Sequence, residues 1–326
     1  MQLVTFKTDD GRTHAGVLHG DQVIGLEYPS LLELLRHSDG LEHARAALEQ
    51  DPQGQNYVYV SDPARPHSLL SALQPVYGEV AEDYPASKIH LLSPIPEPPT
   101  LRDFYAFEQH VKAARSGRGL AMIPEWYEIP TFYFSNTSEL YTHDSPVPYP
   151  VGCEALDFEL EIAGVIGREG KDIPPEQASQ YIAGYTIMND WSARDFQRKD
   201  MLLNLGPGKG KDFATSLGPC LVTPDELARY RVDEGANERY DMTMLARVNG
   251  REISHGNFKD IYYSFPQMIA YASRNARLRI GDVIGSGTVG TGCILELGTH
   301  IQPWLQRGDV VELAITGLGV LRNTIV

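Results

Sequence analysis

Two acidic motifs constrain what this chain can fold into: Asp157–Glu161 (DFELE) and, further along, Asn189–Asp195 (NDWSARD). In a β-strand, alternate side chains share a face, so Glu159 and Glu161 would lie about 7 Å apart while their apolar neighbours face a core. Two carboxylates at that spacing repel each other unless a cation or a proton lies between them. With Asp190 added, three hard oxygen donors suit Mg²⁺, Ca²⁺ or Mn²⁺ rather than zinc, which predicts a fold built around a divalent ion.

The chain of 326 residues is long enough for a large core and for two domains. The proline-rich segment Ser93–Thr100 is the candidate boundary, which predicts a small N-terminal domain over residues 1 to 92 and a second domain over residues 93 to 326. In the N-terminal part, the expected strands are Leu3–Phe6, His14–Leu18 and Val23–Leu26, with turns at Asp9–Gly11 and Gly20–Asp21. The expected helices are one capped by Ser30 that runs through Leu35, and Leu41–Gln50.

Charge and cysteine content limit the partners and the compartment. The net charge of −15 argues against nucleic acid and anionic membranes as partners, because both require clustered Lys and Arg. The sequence has no apolar run long enough to span a bilayer, and Met1–Lys7 lacks the pattern of a signal peptide, so we expect a cytoplasmic protein. The three widely spaced cysteines, Cys153, Cys220 and Cys293, favour buried free thiols over disulfides or zinc.

The second part of the chain mixes strands and helices without regular βαβ order, which predicts an α+β domain with a rolled or barrel-like sheet. The expected helices are Arg102–Arg118, a helix capped by Ser192 that runs through Leu202, and Phe265–Ala276. The expected strands are Tyr181–Asn189, which delivers Asp190 at its end, then Val283–Ser286, Ile294–Leu297, Val310–Thr316 and Val320–Val326, with Asn249-Gly250 as a hairpin turn.

Three further groups could contribute to a site. Asp103 and His110 lie seven residues apart, which in a helix is one face and could offer an oxygen ligand and a general base. The glycine-rich segment at residues 206–213 lacks the P-loop pattern but could hold Lys211 over an anionic group. The small residues at 285–292 permit close approach of a ligand, and Glu296, among apolar neighbours, needs a partner such as a histidine. Each group, taken alone, also fits a solvated surface, an ordinary histidine or a plain turn.

Taken together, these groups resemble the fumarylacetoacetate hydrolase family over about residues 90 to 326. The matching motifs occur in the family's order: Asp103–His110, Asp157–Glu161, Asn189–Gln197, Gly210–Ser216, Ser286–Thr288, Leu295–Leu297 and Gly319–Val326. Of these, Asn189–Gln197 is the most specific. The resemblance implies a mixed β-sandwich roll of the fumarylacetoacetase C-terminal type, preceded by a small SH3-like N-terminal domain, in a homodimer.

The resemblance also implies roles for individual residues. The metal ligands would be Asp103, Glu159, Glu161 and Asp190, holding Mg²⁺ or Ca²⁺, with Mn²⁺ as a further candidate. The catalytic residues would be His110, its carboxylate partner Glu296, and Lys211. The residues lining the substrate or its metal would be Tyr105, Tyr133, Arg194, Gln197 and Thr288.

One departure leaves the substrate open. Family enzymes that act on fumarylacetoacetate carry an arginine about nine residues after the histidine, whereas Gly119 stands here, with Arg118 one residue away. The segment from there to Pro124 is also shorter. Recognition of the distal acyl group is therefore not predicted by the motifs.

The resemblance implies hydrolysis of a carbon–carbon bond in a β-diketo acid such as fumarylacetoacetate, fumarylpyruvate or another acylpyruvate. In that reaction His110 and Glu296 would activate water while the metal stabilises the leaving enolate. Two alternatives stay open. The same fold could act as a lyase, isomerase or decarboxylase on a 2-keto acid, or it could be a metal-stabilised binding domain without turnover.

Overall fold

The computed structural model describes residues 1–8, 11–19, 22–50, 57–59, 89–117 and 119–326. The predicted turn residues Asp9, Asp10, Gly20 and Asp21, and the predicted helix end at Arg118, lie outside the described residues. Within the described ranges, none of the helices combines the length and the apolar character required to cross a bilayer.

The N-terminal part matches the predicted elements closely. Its strands and helices are β1 (Gln2–Thr8), β2 (Thr13–His19), β3 (Gln22–Gly25), α1 (Leu31–Arg36), α2 (Gly40–Gln50), β4 (Tyr57–Tyr59) and β5 (Ile89–Leu91). Ser30 is the N-cap of α1, and its hydroxyl accepts a hydrogen bond from the Glu33 amide at 3.3 Å, which satisfies one of the free amides of the first turn. Leu31 and Leu34 are fully buried, so this short helix is held by packing as well as by its cap.

The remaining chain is mostly strand. Its strands are β6 (Leu101–Phe104), β7 (Phe132–Ser135), β8 (Leu140–Tyr141), β9 (Pro146–Val147), β10 (Leu156–Asp157), β11 (Leu160–Ile166), β12 (Ile182–Asp190), β13 (Ser192–Ala193), β14 (Thr215–Val222), β15 (Arg231–Asp233), β16 (Arg239–Tyr240), β17 (Thr243–Val248), β18 (Arg251–Asn257), β19 (Val283–Gly285), β20 (Val310–Ile315) and β21 (Gly319–Ile325). Its helices are α3 (Glu108–Ser116), α4 (Arg194–Leu202), α5 (Phe265–Ser273) and α6 (Ile294–Leu297).

Two mixed sheets form the frame. The larger runs in the order β4-β3-β2-β1-β14-β12-β11-β19-β6-β7, with β5 on β1 and β8 on β14, and the smaller runs β18-β17-β20-β21-β9. Most neighbours are antiparallel, but β6 is parallel to β19, β8 to β14 and β9 to β21. The smaller sheet packs on β11, β12 and β14 of the larger one, and apolar residues from both sheets share one core.

The α+β prediction is confirmed by these mixed sheets and few helices. The N-terminal strands belong to the large sheet, because β1 pairs with β14 through Gln2–Val222 and Leu3–Leu221. An SH3-like N-terminal domain is therefore not confirmed. The predicted hairpin is confirmed: Asn249 and Gly250 join β17 to β18 with φ values of 52° and 76°, as a type I′ turn requires.

Three predicted elements are wrong. Residues 101–104 form strand β6 between β19 and β7, so helix α3 begins only at Glu108, and Asp103 and His110 do not share a helix face. Residues Ile294–Leu297 form the single helical turn α6 rather than a strand. Ser192 belongs to β13, and α4 begins after Ala193; the Ser192 hydroxyl donates to the Asp190 carbonyl at 2.9 Å instead of capping the helix.

Candidate metal centre and active site

The pairing of four strands brings the predicted acidic residues to one end of the large sheet. Asp103 on β6 lies opposite Gly285 on β19, and Gly285 in turn lies opposite Ala163 on β11. Leu160 at the start of β11 pairs with Asn189 near the end of β12. The carboxyl-terminal ends of β6, β12 and β19 therefore meet the amino-terminal end of β11, although their residues are far apart in the chain.

The four predicted metal ligands form one cluster at this point. Asp103, Glu159, Glu161 and Asp190 are all buried, and one carboxylate oxygen from each lies within 4.8 Å of the others. Glu159 lies just before β11 rather than inside it, and its amide donates to the side-chain oxygen of Asn189 at 2.9 Å. The two glutamates therefore do not share a face of one strand as predicted, although both of their carboxylates reach the cluster.

Gly287 allows two of these carboxylates to be held by backbone. Its amide donates to Asp103 Oδ1 at 3.2 Å and to Glu161 Oε2 at 3.1 Å. Its φ of 77° lies in the left-handed region, and a Cβ there would meet the Phe104 carbonyl oxygen at 2.5 Å. Only glycine fits this position without displacement of the chain, so the SGT motif supports the acidic cluster directly.

Two buried cations face the other side of the cluster. Lys211 Nζ donates to Glu159 Oε2 and to Asp190 Oδ2, both at 2.5 Å. Arg194 donates through its Nη2 atom to Glu159 Oε1 at 2.8 Å. The Tyr133 hydroxyl also donates to Asp190 Oδ2, at 2.5 Å. These contacts neutralise part of the acidic charge and leave the Asp103 side of the cluster without a cation of its own among the described residues.

Burial and crowding shift the acidities of the cluster. Burial raises the pKa of Asp103 well above its usual range, and the nearby Asp190 raises it further. Burial and the neighbouring Asp103 likewise raise the pKa of Glu161 well above its usual range. Burial also favours a raised pKa for Glu159, but Lys211 and Arg194 outweigh it and lower the pKa below its usual value. Protons or a cation must therefore compensate Asp103 and Glu161.

The cluster fits a divalent metal ion. Asp190 Oδ1 is buried and has no hydrogen-bond partner within the described part of the chain, which is costly for a carboxylate oxygen unless a cation binds it. The donors are four carboxylates with no sulfur or imidazole, which is the set that hard cations of the Mg²⁺, Ca²⁺ and Mn²⁺ class prefer. An ion bound here would satisfy the orphaned oxygen and the two acids with raised pKa values together.

The structure brings His110 and Glu296 together from α3 and α6. The His110 Nδ1 atom lies 2.8 Å from Glu296 Oε2. Because an ionised carboxylate can only accept, Nδ1 is assigned the proton and Nε2 is the basic nitrogen. The second oxygen, Glu296 Oε1, accepts the Thr291 amide at 2.8 Å. Thr291 has a φ of 70°, which is rare for a β-branched residue. Such a backbone conformation costs about 1–3 kcal/mol and persists only where the surrounding structure enforces it.

Asp157 links this dyad to the acidic cluster, and it is a residue of the site that the motifs did not predict. Its Oδ2 atom accepts from Arg194 Nε at 2.8 Å, so the same guanidinium holds Asp157 and Glu159. The two oxygens of Asp157 also accept the amides of Ile294 and Leu295 at 2.7 and 3.0 Å, which caps the helix that carries Glu296. The available signal was its place as the third acid at alternate positions in DFELE.

The other predicted site residues lie around the cluster and the dyad. The Tyr105 and His110 rings meet edge to face with centroids 5.6 Å apart. Gln197 Oε1 accepts from Arg194 Nη1 at 3.0 Å, and the Thr288 hydroxyl lies 3.5 Å from Glu161 Oε1. The structure therefore brings all twelve predicted site residues to one region, and most of the donors of Arg194 face protein carboxylates.

Comparisons with known proteins identify the family of this chain. The family model described as fumarylacetoacetate (FAA) hydrolase C-terminal matches residues 100–326. Fumarylacetoacetase from Bos taurus is 30% identical over 241 residues, which cover 60% of this chain and 57% of the bovine protein. The chain thus spans little more than half the length of that relative.

Two solved structures share the whole fold. The 5-carboxymethyl-2-hydroxymuconate delta-isomerase from Mycobacterium smegmatis has a TM-score of 0.65 and 24% identity, covering 100% of this chain and 99% of its own. The maleylpyruvate hydrolase from Sphingobium sp. SYK-6, in complex with manganese(II) ion and pyruvate, has a TM-score of 0.66 and 21% identity with the same coverage. At these identities the likeness shows the fold alone. The family model spans well over half of the chain, and on that basis the chain belongs to the fumarylacetoacetate hydrolase family.

Proposed function

We propose that this protein is a metal-dependent hydrolase that cleaves a carbon–carbon bond in a β-diketo acid, such as fumarylacetoacetate, fumarylpyruvate or another acylpyruvate. The observation that carries the proposal is the His110–Glu296 pair, 2.8 Å apart, beside a buried cluster of four carboxylates. A base held in this way is suited to the activation of water, which hydrolysis requires and a simple binding domain does not.

The proposed reaction begins with proton transfer to His110. Its Nε2 atom takes a proton from water, while Glu296 fixes the ring and stabilises the imidazolium. The hydroxide oxygen bonds to one carbonyl carbon of the substrate, and the adjacent C–C bond breaks as the carbonyl re-forms. The bonding electrons leave as an enolate, which recovers the proton from Nε2 at carbon. One water is consumed, and a carboxylic acid and a keto acid are released.

The acidic cluster supports this reaction electrostatically. Mg²⁺ or Ca²⁺, with Mn²⁺ as a further candidate, would be held by Asp103, Glu159, Glu161 and Asp190, and would supply Lewis-acid stabilisation of negative charge on substrate oxygens. The manganese(II) reported for the Sphingobium hydrolase supports a divalent ion in this fold.

Lys211 is proposed to stabilise the charge that develops on the attacked carbonyl oxygen. Burial alone would lower its pKa, but Asp190 and Glu159 raise the pKa above the usual lysine value, so it stays cationic at neutral pH. A fixed cation in a site that excludes water is worth far more than one in solution.

The remaining site residues divide into two groups. Tyr105, Tyr133, Gln197 and Thr288 are proposed to contact the substrate or its metal. Arg194 is proposed to act as a positioning residue, since it is 2% exposed and its donors are bonded to Asp157, Glu159 and Gln197.

A substrate panel tests the proposal. Purified protein with Mg²⁺, Ca²⁺ or Mn²⁺ is mixed with acylpyruvates, fumarylpyruvate and fumarylacetoacetate, and loss of the diketone ultraviolet absorbance is followed. His110→Ala is expected to lower kcat by about 10²–10⁴-fold through loss of the general base. The matched control is His255→Ala, since that side chain is 70% exposed, and it should keep full activity. Turnover of none of these acids, or an unimpaired His110→Ala variant, would overturn the proposal.

A second candidate is isomerisation, decarboxylation or elimination on a 2-keto acid with the same enolate chemistry. The observation in its favour is the isomerase from Mycobacterium smegmatis among the proteins of this fold. Proton NMR of the products separates the two. Hydrolysis releases two acids per substrate, whereas an isomerase moves a double bond and releases none. Metal-dependent melting without turnover of any acid would instead favour a binding domain.

We also propose that the protein is a cytoplasmic homodimer that acts on a small molecule without nucleic acid or membrane partners. The three cysteines are free and buried, which suits a reducing compartment, and the net charge is −15. Sedimentation equilibrium tests the dimer, and a monomer at micromolar concentration would contradict it.

A further inference from the structure

Cys293 lies beside the catalytic dyad and has no part in the proposed reaction. It is fully buried at the residue before α6, and its side chain makes no capping hydrogen bond. One ligand atom from each of His110, Cys293 and Glu296 lies within 4.8 Å of the other two. Sulfur, nitrogen and oxygen donors thus converge at a point that is chemically different from the four-carboxylate cluster.

The donor set determines the kind of ion that could bind. Thiolate and imidazole favour borderline and soft cations such as Zn²⁺ and Cd²⁺, whereas Mg²⁺ and Ca²⁺ prefer oxygen alone. We propose that His110, Cys293 and Glu296 form a second metal site, which takes a thiophilic divalent ion of the zinc class and thereby inhibits the enzyme. Mg²⁺ and Ca²⁺ would not compete for it.

The distances permit such a site with small movements. Zinc binds nitrogen and carboxylate oxygen at about 2.0–2.2 Å and sulfur at about 2.3 Å, so tetrahedral ligand atoms lie roughly 3.3–3.5 Å apart. The His110 Nδ1 and Glu296 Oε2 atoms are 2.8 Å apart, so they would separate by only about half an ångström to admit the ion. Three protein ligands leave the fourth position for water.

The charges also balance. Binding would release the thiol proton and move the ring proton from Nδ1 to Nε2, which leaves a thiolate, a carboxylate and a neutral imidazole around a dication. Before binding, burial and the nearby Asp157 raise the pKa of the Cys293 thiol well above its usual value. The thiol is therefore protonated and unreactive when no ion is present, so it is a latent ligand rather than a nucleophile.

Inhibition follows from the atoms that the ion would occupy. It would take the place of the Nδ1 proton in the hydrogen bond from Nδ1 to Glu296 Oε2, which holds His110 as a base. With Nδ1 bound to the ion, Nε2 would carry the ring proton and would have no lone pair with which to accept a proton from water. Inhibition rests on the proposed function, whereas binding of the ion does not.

Binding is tested by Cd²⁺ titration of the full chain in the presence of saturating Mg²⁺, after equilibration for hours because the His110 and Glu296 side chains are each only 6% exposed. One thiolate-to-cadmium ultraviolet band per chain is expected. Cys293→Ser and Cys293→Ala should lack the band, whereas Cys153→Ala and Cys220→Ala should keep it. Two variants at position 293 guard against misfolding, which thermal melting would reveal. A band that survives in either folded variant overturns the site.

Activity gives the second readout. Cys293→Ser is expected to keep basal turnover and to need more than about 100-fold more Zn²⁺ for half inhibition, because loss of an outer partner alone costs 10–100-fold in metal affinity. Equal inhibition of wild type and Cys293→Ser would assign the effect to the carboxylate cluster and overturn the inhibitory role. A cadmium band without turnover of any diketo acid would keep the site and remove the proposed function.

Discussion

Replacement of Glu296 by glutamine tests the dyad more sharply than its deletion. The carboxylate accepts two N–H groups, His110 Nδ1–H through Oε2 and the Thr291 amide through Oε1. Glutamine offers one acceptor oxygen and one donor amide, so it cannot replace both bonds. The backbone amide of Thr291 is always a donor, and leaving it unpaired in this partly buried site would cost up to about 1–3 kcal/mol.

The side-chain oxygen of the glutamine should therefore keep the hydrogen bond from the Thr291 backbone amide. The side-chain NH₂ group then points toward His110. Nδ1 must then become the acceptor, which moves the ring proton to Nε2 and removes the base. Conversion to the wrong tautomer lowered kcat by about 10⁴ in a serine protease, and general-base catalysis is worth about 10²–10⁴-fold. We expect a loss of 10³–10⁴ in kcat, or about 4–5.5 kcal/mol at about 1.4 kcal/mol per tenfold.

Steady-state diketone cleavage gives kcat, and Mn²⁺ titration by calorimetry checks that the acidic cluster is intact. Glu252→Gln, at a partly exposed position, is the control and should leave kcat unchanged. His110→Ala and the double variant should lose no more than the larger single loss, because the two residues act as a unit. If Glu296→Gln keeps more than a tenth of wild-type kcat, or the losses multiply, the tautomer argument is refuted.

Three further predictions concern the acidic cluster and its support. Asp190→Asn should weaken Mn²⁺ binding by roughly 100-fold or more in calorimetry, since a direct ligand outweighs an outer partner, while Asp195→Asn in the same motif should not. Asp157→Asn should lower the urea-derived unfolding free energy by about 3–5 kcal/mol, as expected for a broken buried ion pair, and an unchanged midpoint would contradict that. The raised pKa values of Asp103 and Glu161 mean that the metal-free fold binds more protons than the unfolded chain, so its stability should fall as pH rises through those values. Melting scans from pH 5 to 9 should then show Mn²⁺ stabilising the protein more at high pH, and a constant increment would refute this.

Much of the site could be predicted because local motifs carry it. DFELE and NDWSARD each contain their ligands within a few residues, and β12 ends at Asp190 as the strand pattern predicts. The hairpin at Asn249-Gly250 and the cap at Ser30 are likewise local signals. The order of the family motifs relates these segments to one site, although they lie far apart in the chain.

The errors occur where distant partners decide the local structure. Residues 101–104 form a strand because β19 and β7 pair with them on either side. Both partners are distant in the sequence, so the local helical pattern carries no information about them. The sequence Ile-Leu-Glu-Leu is typical of a strand, yet Asp157, 137 residues earlier, caps it as a helical turn. Propensity is a weak prior when such tertiary contacts compete with it.

The pairing of β1 with β14 has a consequence for protein engineering. Strand β14 is buried along its whole length and is flanked by β12 on one side and, at Leu221 and Val222, by β1 on the other. A fragment cut to the span of the family model would lack β1 and leave the edge of β14 bare at Leu221 and Val222, whereas β8 would still pair with Thr215 and Ser216. Such edges template intermolecular pairing, so we expect that fragment to aggregate on expression where the longer chain stays dispersed.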